Sequence, residues 1–379
     1  MDYTYPYRAH LKAFKRIPPI NLEDQSLIRT FATADSSDII NMGKVSYKDF
    51  QAKIYSSLVR YKKEELKIEE KGISSHGVPH DCLFPEPYCS SEIPVMLYKG
   101  ITGIVKDIQE SAFAYKPHIA ASNHVASSQT ACINLFVPIL ESDFADEIIK
   151  KSGICPSNFD HIDRTQLRKG YCFEYWEQNA EGSKGLLGDH TPHAGTDSDV
   201  AISYIDKDGN HCLWLIEHKL TEQEFTTCGA YRSDRNPVEM KENCKKCSLS
   251  DFYADHNKCH YHKNCGYYYW NIMEQEKIKQ FYSGLFDKEG CPFRGGMNQL
   301  WRNQMMAFEL ERIGLFKDVF FSVVSHPENT FLDKTMNEYR KLINNSNKFS
   351  DFKSKSLVDA AIEYLPDWTD WYKRVYMIG

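Results

Sequence analysis

The sequence lacks several features that assign a protein to a class directly. No run of apolar residues approaches the length of about 18 that spans a membrane, so we expect no transmembrane helix. The N-terminal segment MDYTYPYRAHLKAFKRIPPI contains no apolar stretch typical of a signal peptide, and we therefore expect a cytoplasmic protein. Internal repeats and low-complexity tracts are also missing, which excludes solenoid and collagen-like architectures.

An excess of positive charge is missing as well. The chain has 46 lysine and arginine residues against 52 aspartate and glutamate residues, which gives a formal net charge of −6. No global positive field therefore favours nucleic acid, although a local basic groove in an acidic protein would suffice. If the protein binds nucleic acid, a groove or a partner has to supply the affinity.

The clearest local pattern lies between residues 199 and 220. The segment 200–205 (VAISYI) has the composition of a strand, and 206–210 (DKDGN) has the composition of a turn. The segment 211–216 (HCLWLI) is more apolar, which is typical of a strand buried on both faces. We therefore predict a β-hairpin whose second strand is central in its sheet.

Three charged residues fall at one end of this hairpin. Asp199 starts the first strand, whereas Glu217 and Lys219 end the second and point to the same side of it. Antiparallel pairing would bring the two carboxylates together, and a divalent cation such as Mg²⁺ would relieve their repulsion. The metal would activate a water, and the lysine could hold that water or the developing phosphate. The same short pattern also occurs on surface hairpins, but here it ends an apolar strand, which favours a site for phosphodiester hydrolysis.

The pattern of Asp199, a strand, and then Glu217-x-Lys219 resembles the PD-(D/E)xK nuclease superfamily, which has the restriction-endonuclease-like fold. More narrowly, the chain is similar to a bacterial restriction-endonuclease-like family that combines further motifs in a fixed order. These are SSQTACINLF (127–136), CFEY (172–175), GTDSDVAI (195–202), EHK (217–219), CPFRGGMNQLWRNQ (291–304) and VVSHP (323–327). The similarity covers roughly residues 118–327.

The resemblance implies an α/β fold with a central mixed sheet flanked by helices. We expect a mainly helical N-terminal region over residues 1–117 and a nuclease core in two parts, 118–225 and 293–379. A cysteine-rich, metal-binding insertion over 226–292 would separate the two parts and have a small core of its own.

The resemblance also implies roles for individual residues. Asp199 and Glu217 would bind Mg²⁺ or Mn²⁺ together with the backbone carbonyl of His218, and Lys219 would be the catalytic lysine. Glu174 matches an upstream acidic position and would be a further metal ligand, carried on a predicted helix over 167–178.

Several nearby polar residues are assigned less narrowly. Asp197 is the alternative to Asp199. His190 and His193, in the loop before it, could reach the metal or act as acid/base groups, although a loop role is favoured. Superfamily members often carry a glutamine on the helix after the lysine strand, and Gln299 and Gln304 both match that position.

Two further residues are assigned to the substrate side of the site. Arg302 lies one helical turn from Gln299 and could contact a phosphate or form a surface salt bridge. Gln129, near the start of a predicted helix, would face the cleft.

Cysteine is abundant in one segment of the chain. Of twelve cysteines, six fall within residues 228–291, namely Cys228, Cys244, Cys247, Cys259, Cys265 and Cys291. In a reducing compartment such a cluster indicates metal ligands rather than disulfides. Cys244, Cys247, Cys259 and Cys265 would form a zinc-ribbon-like site, and a second partition uses Cys228 or Cys291 instead. Structural zinc is expected, with an iron–sulfur cluster as the alternative.

These observations predict a metal-dependent nuclease that hydrolyses phosphodiester bonds, with DNA as the expected substrate. The resemblance further implies a bacterial cytoplasmic protein in restriction or phage defence, with a second copy or a defence-system protein as a possible partner. The alternatives are a non-catalytic nucleic-acid-binding module and an assembly protein that keeps only the fold.

Overall fold

The computed structural model describes residues 45–379, except for 90–92, 179–183, 192–193 and 285–287. The helical structure predicted for the chain before residue 45 lies outside the described residues.

A mixed β-sheet forms the centre of the molecule. After a small two-stranded ribbon, the chain contributes six strands to this sheet within the described residues. The strands are β1 (Gly72–Ile73) and β2 (Pro79–His80) in the ribbon, then β3 (Phe159–Ile162), β4 (Tyr171–Tyr175), β5 (Ser198–Asp206), β6 (His211–Lys219), β7 (Val319–Ser325) and β8 (Phe349–Lys353). The order is β3-β5-β6-β7-β8, with β4 also paired to β5, and only the β6–β7 and β7–β8 pairs are parallel.

Helices cover both faces of this sheet. In chain order they are α1 (Tyr47–Glu64), α2 (Thr102–Gln109), α3 (Ile119–Asn123), α4 (Ser128–Leu140), α5 (Ala145–Ser152), α6 (Gly229–Arg232), α7 (Val238–Lys246), α8 (Leu249–Ala254), α9 (His260–Lys263), α10 (Tyr269–Met273), α11 (Glu276–Phe281), α12 (Met297–Arg312), α13 (Asp333–Leu342), α14 (Ser354–Ala361) and α15 (Pro366–Tyr376). Short 3₁₀ turns occur at Glu86–Tyr88, Lys99–Ile101, His256–Lys258 and Pro292–Arg294. No helix among the described residues is long and apolar enough to cross a membrane.

The predicted hairpin is confirmed, and its turn explains the register. The carboxylate of Asp206 accepts the backbone N–H groups of Asp208 and Asn210 at 3.0 and 2.7 Å. Gly209 has a φ of 84°, a left-handed conformation that glycine adopts without steric cost. β6 lies between β5 and β7 and is buried at every position after its first residue, so the predicted central position is also confirmed.

Alternating side chains of the sheet supply two hydrophobic cores. Trp214 and Ile216 of β6 pack on one face with α1, α4, α5, α14 and α15. Leu213 and Leu215 pack on the opposite face with α12, α13 and the cysteine-rich segment. This alternation follows from the two-residue period of a strand.

The cysteine-rich segment does not have a core of its own, so that expectation is wrong. Trp270 of α10 stacks on Phe252 of α8 at a ring distance of 5.0 Å and lies 5.5 Å from Trp301 of α12. Phe293 stacks on Trp301 at 4.1 Å. The aromatic side chains of the segment therefore join the second core of the sheet, because α12 supplies the apolar face they need.

Terminal helices complete the first core. In α1, the side chains of Phe50, Ile54, Leu58 and Tyr61 are buried along one helical face. In α15, Trp368, Trp371 and Tyr372 are buried and dock the helix on this core. α4 begins where Ser127 accepts the backbone N–H of Thr130, and it continues past Pro138 to Leu140.

We predict that the central strand is the most sensitive part of the fold. Leu215→Ala removes a fully buried side chain and should reduce the free energy of unfolding by about 2–5 kcal/mol, because a cavity remains. Ile73→Ala, at a side chain that is 61% exposed, is the matched control and should have little effect. Denaturant unfolding followed by circular dichroism measures both; an equal effect of the two changes would contradict the core assignment.

Candidate active site

Three carboxylates form one row across the sheet where β4, β5 and β6 meet. Phe173 and Tyr175 pair with Val200 and Ser198, so Glu174 lies opposite Asp199. Val200 pairs with Ile216, so Asp199 in turn lies opposite Glu217. The structure therefore brings the acidic residues identified in the sequence to neighbouring positions on three strands.

Glu174 lies in a strand, so the helix predicted around it is wrong. The segment Tyr171–Tyr175 is rich in aromatic residues, a composition that favours a strand and outweighs its apparent amphipathic spacing. Glu174 has a φ of 51°, which is uncommon for a residue other than glycine and costs of the order of 1–3 kcal/mol. Cys172 and Tyr175, three residues apart, pack in the same core because the backbone turns between them.

Two residues hold the Glu174 carboxylate in this position. The side-chain amide of Gln129 donates to its Oε1 at 2.8 Å, and the Nε2 of His118 lies 3.1 Å from its Oε2. The other side-chain atom of Gln129, Oε1, accepts the backbone N–H of His118 at 2.9 Å. Gln129 thus contacts Glu174, its role toward the substrate stays a prediction, and His118 is an additional residue that the sequence did not point to.

Glu217 is the most enclosed of the carboxylates, with 3% of its surface exposed. Its Oε1 accepts bonds from Lys219 Nζ at 2.8 Å and from Gln299 Nε2 at 2.7 Å. Its Oε2 accepts a bond from Asn303 Nδ2 at 2.9 Å. Asn303 was missed in the sequence, although it follows Gln299 at the four-residue spacing that places two side chains on one helical face.

The two glutamines that matched the family position are separated by the structure. Gln299 contacts Glu217, whereas Gln304 is fully buried and its side-chain amide has no hydrogen-bond partner among the described residues. Gln299 is therefore the glutamine of the candidate site.

The backbone of His218 lies between the acidic residues and α4. Its N–H donates to Asp199 Oδ2 at 2.6 Å. Its carbonyl, which the resemblance assigns to the metal, accepts a bond from the Ser128 hydroxyl at 3.0 Å. The first residue of α4 therefore contacts the site directly.

Negative charge is concentrated at this end of the sheet. Burial raises the pKa of Asp199 well above its usual range, and Glu217 and Glu174 raise it further. Burial also raises the pKa of Asp197 to about 7, with further contributions from the same two glutamates. Burial lowers the pKa of Lys219, but the nearby Glu217, Glu222 and Asp199 outweigh that effect and raise it overall.

Asp197 therefore shares the environment of Asp199 instead of replacing it. One lysine faces a group of carboxylates, and an arrangement of this kind is short of positive charge.

Arg302 supports the loop that precedes Asp197. Its Nη1 donates to the Thr196 hydroxyl at 3.1 Å and lies 3.9 Å from Asp189 Oδ2. Tyr269 also donates to Asp189 Oδ2, at 2.7 Å. Arg302 thus links α12 to this loop through Thr196 and Asp189, and its contact with Asp189 is buried and is not a surface salt bridge.

The same loop contains His190. Its ring stacks on Trp176 at a distance of 3.8 Å, and its Nε2 lies 2.8 Å from the carbonyl of Thr196. His190 therefore occupies a loop position, as expected, and His193 lies outside the described residues.

One other group of potential ligands lies at the opposite end of β5 and β6. Asp206, Cys212 and Asp318 have ligand atoms within 4.8 Å of one another, and they are the only such group of three among the described residues, so no three carboxylates of the acidic row lie this close together. Asp206 already accepts the bonds of the hairpin turn, and Asp318 pairs with Lys348 at 2.7 Å. These bonds account for both carboxylates without a metal.

A family model described as restriction endonuclease associating with ARP matches residues 56–377. The chain belongs to this family. Its mixed sheet flanked by helices fits a restriction-endonuclease-like fold, and the match extends across the cysteine-rich segment. No curated protein and no solved structure matches the chain.

We predict that the crowded carboxylates make stability depend on pH when divalent cations are withheld. A carboxyl group whose pKa is raised by folding stabilises the folded state at low pH. For Asp197 this stabilisation is complete below its unfolded pKa of about 4, and it is lost as the pH rises through its folded pKa of about 7. Between these pH values the melting temperature of the wild-type protein should fall more than that of Asp197→Asn. Asp107→Asn, at an exposed position on α2, is the control and should follow the wild type. Identical pH profiles for all three proteins would contradict the predicted charge conflict.

Proposed function

We propose that the protein is a nuclease that depends on Mg²⁺ or Mn²⁺ and hydrolyses phosphodiester bonds, with DNA as its substrate. The observation that carries this proposal is the row of Glu174, Asp199 and Glu217 across three strands, with Lys219 bonded to Glu217. Membership of a restriction-endonuclease family supports the same reaction.

The donor set has the oxygen chemistry of a site for a hard divalent cation, and binding would draw its carboxylates closer together. Its potential ligands are the carboxylate oxygens of Glu174, Asp199 and Glu217 and the carbonyl oxygen of His218, and Mg²⁺ prefers oxygen ligands. Burial and the neighbouring Glu217 and Glu174 raise the pKa of Asp199, and a bound cation would offset these effects. When bound, Mg²⁺ lowers the pKa of a coordinated water and stabilises charge on a phosphoryl oxygen.

Protein side chains would orient the reacting groups. Lys219 would remain protonated and donate hydrogen bonds to the attacking water or to the phosphate, since the surrounding acids stabilise its charge. Gln299 and Asn303 hold both oxygens of Glu217 from one face of α12. Gln129 and His118 hold Glu174 from the opposite side of the row.

The wider biological setting follows from the resemblance alone. Cytoplasmic location, a role in phage defence, and assembly with a second copy or a defence-system protein stay predictions. Because the net charge is −6, we expect a local surface or such a partner to contribute to the binding of DNA.

Lys219→Ala should separate catalysis from binding. We expect at least about a 100-fold loss of Mg²⁺-dependent cleavage, because a charged group aimed at the transition state is removed. Binding of DNA, measured by fluorescence anisotropy in Ca²⁺, should remain near the wild-type value. Lys355→Ala, on the exposed side of α14, is the matched control. If the wild-type protein leaves single- and double-stranded DNA and RNA intact in Mg²⁺ and Mn²⁺, the non-catalytic alternative is favoured.

Gln299 and Gln304 offer a matched pair on one helix. Gln299→Ala should reduce cleavage by about 10- to 100-fold, because the orientation of a metal-binding carboxylate would be lost. Gln304→Leu should retain activity and unfold at an equal or higher temperature, because it removes a buried amide that has no partner. Initial rates at saturating Mg²⁺ and melting curves measure the two effects, and a loss of activity confined to Gln304→Leu would reverse the assignment.

A further inference from the structure

The cysteines of the 226–292 segment fall into two groups by their burial. Cys228, Cys244, Cys259 and Cys291 are 5–9% exposed. Cys247 is half-buried and Cys265 is exposed, and all six are free thiols. Four of the six thiols are therefore enclosed, and none of the six forms a disulfide.

The positions of three of these residues share a backbone feature. Cys228 immediately precedes α6, Cys259 precedes α9, and Cys291 precedes the turn Pro292–Arg294. The first N–H groups of a helical turn have no partner within it and can bond to a preceding side chain. None of the three cysteine side chains accepts such a bond, so their sulfur atoms are not occupied by the turns that follow them.

The four thiols are also electrostatic neighbours. Burial is the main cause that raises the pKa of Cys228, to about 11, and of Cys244, to about 12. Cys259 further raises the pKa of both thiols, and Cys228 further raises that of Cys244. The pKa of Cys291 is raised first by burial and then by the other three thiols. All pairs within the group are thus close enough to interact. Cys247 also interacts with Cys244, and Cys265 with Cys259, so burial is the property that separates the four from these two.

A direct backbone contact joins two of the four. The N–H of Cys291 donates to the carbonyl of Cys244 at 2.9 Å. Arg294 donates to the same carbonyl at 3.0 Å and to that of Lys245 at 3.1 Å. The end of α7 is therefore attached to the turn that leads into α12, the helix that carries Gln299.

We propose that Cys228, Cys244, Cys259 and Cys291 form a four-thiolate zinc site, and that Cys247 and Cys265 are not ligands. Four thiolates suit tetrahedral Zn²⁺, with zinc–sulfur distances of about 2.3 Å. No three of these sulfurs lie within 4.8 Å of one another among the described residues, so binding would draw them together. The site would hold the cysteine-rich segment against α12, and the proposal does not depend on nuclease activity.

Metal analysis of the full-length protein tests this ligand set. Mass spectrometry of the purified wild type should find about one zinc per chain, with no iron or acid-labile sulfide. Serine substitution at each of the four positions should remove most of the zinc. Cys247→Ser and Cys265→Ser are the matched controls and should retain it. Loss of zinc in the two controls but not in Cys228→Ser and Cys291→Ser would overturn the proposal, as would a metal-free or iron-containing wild type.

A second measurement requires no substitution and applies even if the serine variants do not fold. Wild-type protein is alkylated with and without a zinc chelator, and the modified cysteines are mapped by peptide mass spectrometry. The four proposed ligands should react only after chelation, whereas Cys265 should react in both samples because it is exposed. Equal reactivity of the four ligands with and without chelator would contradict the proposal.

Discussion

Repulsion between carboxylates at one end of the sheet is the constraint on which the rest of the site depends. Glu174, Asp199 and Glu217 occupy facing positions on three paired strands, so their backbones cannot move apart without breaking the sheet. The protein compensates with a single ammonium group and several neutral donors. From α12, Gln299 and Asn303 donate to Glu217. From α4, Ser128 donates to the carbonyl of His218 and Gln129 donates to Glu174. His118 also lies beside Glu174. Both helices therefore contact the acidic row. Because these donors are neutral, the net charge of the row stays negative.

The hairpin and its central strand could be predicted from the sequence because their signals are local. Asp-Gly turn chemistry sets the register, and the apolar run 212–216 requires burial on both faces. The approach of Asp199 to Glu217 follows from that register without any knowledge of the rest of the chain. The rest of the site depends on tertiary contacts, which the sequence does not reveal. The left-handed conformation of Glu174 is sustained by bonds to Gln129 and His118, and neither bond has a local sequence signature.

The metal ligands of the cysteine-rich segment could likewise be predicted only in part from the sequence. Its sequence allowed several divisions of six thiols, because spacing alone does not report which sulfurs face inward. Burial of Cys228 and Cys291, together with exposure of Cys265, depends on how the segment packs against Trp301 and Phe293 of the second core. Asn303 was overlooked for a related reason. An asparagine within a helix becomes informative only when the strand end opposite it is known.

The parallel pairing of β6 with β7 has a consequence for the order of assembly. Parallel neighbours need a crossover, and here residues 220–318 form it, including the cysteine-rich segment and α12. β4, β5 and β6, in contrast, come from one stretch of chain, 171–219, and can pair through contacts close in sequence. The acidic row can therefore form before Gln299 and Asn303 are delivered by the crossover. Until the crossover folds, the three carboxylates would lie on neighbouring strands with only Lys219 beside them, so the hydrogen-bond donors of α12 would complete the site last.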